Sequence, residues 1–180
     1  MTKQELTQLG ISYITKFCEI NGIKLPKIKV YENHRFNCCG WYRNKTITIV
    51  EKKCAREATN PGFSWSHRHY FVDREPCGVV CHEFGHYLHE VLTNNECILP
   101  YERQITSYEP DYCERFAETI KLFITNPDLL KQYAPKRYEV LTKKLNLKPI
   151  FTETWEELML KTNMHSKYIT ATKNKLAADI

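Results

Sequence analysis

The chain carries one tight cluster of residues suited to chemistry, His82-Glu83-Phe84-Gly85-His86. On an α-helix, histidines four apart project from the same face, one turn from each other. Two imidazoles so placed can reach a single metal ion at about 2.0–2.1 Å each. Glu83 lies about 100° around the helix axis, within reach of a water at that ion without ligating it. Its carboxylate then stands where a general base is needed. Val79-Val80-Cys81 on one side and Tyr87-Leu88 on the other predict a buried helix with one polar face.

A catalytic ion needs a third protein ligand and an open position. A third histidine six residues after His86 would supply one, but Leu92 stands there, and His89 replaces the glycine such a motif carries. Glu114-Arg115-Phe116-Ala117-Glu118 offers two carboxylates four apart, hence on one helix face. Glu114 could bind the ion, and Glu118, one turn on, could accept the N–H of a ligating imidazole and fix its tautomer. The other reading of this pair is a solvated helical face. Phe116, Ala117, Ile120 and Phe123 make the helix partly buried, where uncompensated carboxylates are costly. That favours a metal role for Glu114.

In these segments the sequence resembles the gluzincin-type zinc metallopeptidases, and within them the group that includes the catalytic domain of anthrax lethal factor. The resemblance rests on His82-Glu83-Phe84-Gly85-His86, Thr106-Ser107-Tyr108, Glu114-Arg115-Phe116-Ala117-Glu118 and Ala134-Pro135-Lys136 in that order. It covers the chain from Cys81 to about Leu141. It implies an α+β zincin-like domain, a small sheet packed on the metal helix with a mostly helical C-terminal half. It also implies a metalloendopeptidase acting on a peptide or protein substrate with one Zn²⁺ held by His82, His86 and Glu114. Glu83 would activate water and Glu118 would support a ligand from behind. Members of this family also stabilise the oxyanion with a tyrosine just before the glutamate helix. Tyr108 is the match, one residue closer to the glutamate than the family spacing, with Tyr112 and then Tyr101 as alternatives.

The elements that must position these groups are legible in outline. A T-x-x-E capping box at Thr2 and Glu5, with Leu6, Leu9, Tyr13, Phe17 and Ile20, predicts an opening helix closed by Asn21-Gly22. Alternation over 27–31 and the β-branched run 46–50 predict strands, with 40–42 in the loop between them and 43–45 as a turn. The 46–50 strand is the candidate rim of the cleft, where an extended peptide could add to an exposed edge, although an internal strand is equally allowed by the sequence. Residues 55–76 read as an irregular connection. Helices are predicted from Pro76, over 111–125, after Asn126-Pro127-Asp128, over 136–145 and over 155–163. The remaining histidines lack such context: His89 is expected on a helix surface, His67 and His69 in a loop near the cleft, and His34 and His165 stand alone.

Composition bounds the rest. At 180 residues with 42% apolar and 26% charged types, the chain suits one globular domain, 1–180. No apolar run is long enough to span a membrane, and the start lacks a signal-peptide layout, so a cytoplasmic protein is expected. Eight cysteines without a secretory signal suggest reduced thiols, either small core residues or ligands. Cys38-Cys39 and Cys77-x-x-x-Cys81 are the only hints of a second metal site. Of the net charge of +5, most falls in residues 136–180, a basic helical part with nine Lys/Arg against five Asp/Glu. Such a tail could steer nucleic acid, as in a DNA-associated SprT-like protease, although a solvated helical surface is the commoner reason for one. A non-catalytic zincin-fold interaction or virion protein is the remaining alternative, and the intact Glu83 weighs against it.

Overall fold

The computed structural model describes residues 2–54, 75–106, 108–154 and 157. These residues form a mixed α+β fold of five α-helices and one three-stranded sheet. Helix α1 (Lys3–Asn21) starts at a complete capping box, Thr2 Oγ1 accepting from Glu5 N–H and Glu5 Oε2 from Thr2 N–H. It ends on Gly22 in the left-handed region (φ 63°), which glycine enters without steric cost.

Strands β1 (Lys27–Tyr31), β2 (Gly40–Arg43) and β3 (Thr46–Val50) follow, in spatial order β1-β3-β2. β1 pairs with β3 in parallel, and β2 pairs with β3 antiparallel. Asn44 and Lys45, both at positive φ (50° and 55°), make the two-residue hairpin turn between β2 and β3. One expectation is corrected here, and one of two open readings is decided. Residues 40–43 form a strand rather than a loop, because the hairpin pairs them with the β-branched run. The 46–50 strand is therefore the buried centre of the sheet, and β2 becomes the edge.

Helix α2 (Pro76–Thr93) begins with Pro76, whose missing N–H has no partner to lose there. Helix α3 (Tyr112–Thr125) is capped by Asp111, whose Oδ1 accepts from Cys113 and Glu114 N–H at 2.8 and 2.9 Å. Asn126 then caps α4 (Pro127–Tyr133), and α5 (Pro135–Glu139) runs into a π-helical turn, Val140–Lys144. The core lies where α2 meets α1, α3 and the sheet. Phe17 packs edge-on against both Phe84 and Phe123, tying the three helices together.

Two glycines permit the close approaches. A Cβ on Gly10 of α1 would lie 2.9 Å from Val80 Cβ, and one on Gly85 of α2 would lie 2.6 Å from the Ala117 Cα of α3. The helix expected over 155–163, the irregular connection between 55 and 74, and His67, His69 and His165 lie outside the described residues. Among the described residues, no helix is long and apolar enough to cross a membrane.

Candidate metal centre

The α2–α3 crossing builds the site. Gly85 sits between the two histidines of α2, and Ala117 sits between Glu114 and Glu118 of α3, so backbone nearly meets backbone where the four side chains face one another. Glu114 Oε2 lies 3.1 Å from His82 Nε2 and 3.5 Å from His86 Nε2. One ligand atom from each of the three residues falls within 4.8 Å of the others, an arrangement that could hold a metal ion. It is the single such group of His, Cys, Asp and Glu among the described residues.

The donor set suits a cation. His82 Nδ1 donates to Glu118 Oε1 at 2.6 Å, which leaves the neutral ring with its Nε2 lone pair turned toward Glu114 Oε2. That oxygen is buried and has no hydrogen-bond partner, so positive charge is needed between the three atoms. In the protein alone a proton fills the role. Burial opposes a charged His82, but Glu114 and Glu118 outweigh it and push its pKa up to about 10. Burial likewise opposes ionised Glu114, yet the two imidazoles hold its pKa down to about 2.

Glu118 is wholly buried and anchored on three sides. Besides His82, it meets Lys121 Nζ at 2.9 Å and the Thr106 hydroxyl. Lys121, itself buried, was not apparent from sequence as part of the site, although its spacing of three from Glu118 is the helical signal that could have shown it.

Glu83 lines the same cleft, buried and outside the His82–His86–Glu114 group, with the Tyr42 backbone of β2 helping to favour its charged form. Burial pushes its carboxyl above the ordinary range, against the pull of His82 and His86. The Tyr42 hydroxyl donates to Glu90 Oε2 at 2.6 Å, which ties the edge strand to α2. The cleft has a volume of about 660 Å³, with β2 along one side and α2 and α3 forming its floor.

The three candidate tyrosines separate clearly. Tyr108 lines the cleft with its ring centroid 5.9 Å from that of His82. Tyr112 packs instead against His89, with centroids 5.8 Å apart. Tyr101 is 87% exposed and lies under the Arg115 guanidinium. His89 corrects the surface expectation: it is buried, stacks on Phe116 at 4.6 Å and donates from Nε2 to Glu96 O. The phenylalanine that hides it belongs to α3, so a pattern read along α2 alone does not reveal the burial. His34 sits among Tyr31, Phe36 and Trp41 at the outer end of the sheet.

None of the eight cysteines is in a disulfide; Cys77 and Cys81 are core residues, while Cys38, Cys39 and Cys113 border the cleft. Comparison of the chain with protein-family models, with curated proteins and with solved structures finds no match.

Proposed function

We propose that the chain is a zinc metallopeptidase of zincin-like fold, hydrolysing peptide bonds in a peptide or protein substrate. The observation that carries this reading is the convergence of His82, His86 and Glu114 beside a buried carboxylate, Glu83, that has no place among the ligands. A purely structural ion needs no such neighbour. Two imidazoles and one carboxylate form a donor set suited to catalytic zinc, with a position left open. When bound, zinc supplies a Lewis acid that polarises the scissile carbonyl and lowers the pKa of water at the site.

The chain's own residues complete the reaction. Glu83, buried in the cleft beside the ligands, takes the proton from the attacking water and returns it to the leaving amine. Tyr108, on the cleft wall next to His82, donates its hydroxyl to the carbonyl oxygen as negative charge develops there. Glu118 holds His82 in the tautomer that leaves Nε2 able to ligate.

Substrate orientation follows from β2. Val50 N–H donates to Cys39 O, so hydrogen-bonded pairing alternates from Cys39 to Trp41 to Arg43. Gly40 and Tyr42 therefore turn their backbone groups away from β3, toward the cleft. An extended substrate lying along this edge would pass over Glu83 and the metal ligands.

The test is cleavage of an unbiased peptide library by the zinc-loaded protein, read by mass spectrometry. Cleavage should stop on chelation and in Glu83→Gln. Intact peptides with the wild-type zinc protein would sink the proposal.

A further inference from the structure

A second buried ion pair lies away from the candidate metal centre. Arg137, third residue of α5, is 0% exposed, and Glu109, in the segment before α3, is buried with it. Arg137 Nη1 donates to Glu109 Oε2 at 3.0 Å and faces Thr119 Oγ1 at 3.4 Å. Its Nη2 donates to the carbonyls of Arg103 and Glu102, at 2.9 and 3.3 Å. Glu102 answers from the loop side, its carboxylate accepting Lys136 and Arg137 N–H at the start of α5. Burying an ion pair this completely is seldom the most stable use of a core position. Its geometry indicates what it positions.

Glu109 uses its other oxygen to accept Ile105 N–H (2.8 Å) and Thr106 N–H (3.2 Å). Thr106 Oγ1 in turn accepts Tyr108 N–H at 3.2 Å, and its hydroxyl helps to favour the charged form of Glu118. A chain of hydrogen bonds therefore runs from Arg137 through Glu109 and Thr106 to the backbone of Tyr108, whose ring lies beside His82. We infer that Arg137 and Glu109 are positioning residues, a buried latch that holds the Tyr108 segment against the metal centre so that the tyrosine hydroxyl is preset for the reacting carbonyl. This rests on the peptidase reading for its functional consequence, although the latch itself is a property of the metal-free protein.

Only a planar fork satisfies this site, because one guanidinium reaches a carboxylate and two carbonyls on diverging N–H bonds. A lysine keeps the charge and loses the fork. In metal-free Arg137→Lys, hydrogen exchange at the Ile105, Thr106 and Tyr108 amides should quicken by about tenfold or more, while α2 and α3 amides keep their wild-type rates. In the zinc-loaded variant, kcat should fall by about 10–100-fold with zinc content and KM unchanged. Placed on Tyr108→Phe, the same substitution should cost roughly twofold or less, since the group it positions is already gone.

Should Arg137→Lys fail to fold, Glu109→Gln, which removes the paired charge but keeps an acceptor, takes its place in all three measurements. Unchanged exchange, or exchange quickened uniformly through the helices, overturns the latch. An equal loss of kcat with and without the Tyr108 hydroxyl overturns its link to catalysis. If the wild-type protein cleaves nothing, the peptidase reading falls, and the exchange arm alone still decides the latch.

Discussion

Replacing Gly85 by alanine tests whether the α2–α3 crossing sets the metal geometry. The added Cβ would lie 2.6 Å from Ala117 Cα and 2.9 Å from the Ala117 carbonyl oxygen. Carbon atoms in contact prefer about 3.5–4.0 Å, so the helices must part by about 1 Å at that point. Overpacking of this kind costs about 1–3 kcal/mol, against about 1 kcal/mol regained from alanine's better helix propensity. The net expectation is a modest fall in the Tm of the metal-free protein. The effect on the ion is larger, because Glu114 moves with α3 while both histidines stay on α2. Metal–ligand distances tolerate only about 0.2 Å, so zinc affinity should fall by about 10–100-fold, the scale of a disturbed ligand shell. Chelator competition measures the affinity and thermal melting the stability. A variant that melts higher than wild type and binds zinc equally well would show that the crossing does not constrain the site.

Other expectations follow from the same geometry. Glu114→Ala should lose most zinc affinity, whereas Glu118→Ala, which touches only the back of His82, should lose about 10–100-fold by chelator competition; the reverse order would exchange their roles. Tyr108→Phe should lower kcat by about 10²–10³ with zinc content and KM nearly unchanged. Tyr112→Phe and Tyr101→Phe should turn over normally, since neither ring lines the cleft; a crippled Tyr112→Phe would move the oxyanion role away from Tyr108.

The parts of this site legible in the sequence are those governed by local periodicity. The four-residue spacing in both helices reports side chains on one face, and the structure brings His82, His86 and Glu114 together across the two. Capping residues likewise foretell the helix ends, as Thr2 with Glu5 and then Gly22 do for α1. What escapes is set by non-local pairing. The 40–43 segment is a strand because a two-residue turn folds it onto 46–50, and that pairing turns the expected rim into the sheet's centre. His89 is hidden by Phe116 from another helix. The Arg137–Glu109 pair joins residues 28 apart in the chain. Glycine at 85 stands among the motif's side chains without chemistry of its own, and its reason appears only when Ala117 is seen against it.

The identity of the groups that hold the ion is decisive. X-ray absorption at the zinc edge of the loaded wild-type protein reads that directly. It should show one zinc per chain with two imidazole nitrogens and one or two oxygens at about 2.0–2.2 Å. Sulfur in that shell, or a spectrum unchanged when Glu114 is replaced by alanine, would contradict the assignment of His82, His86 and Glu114.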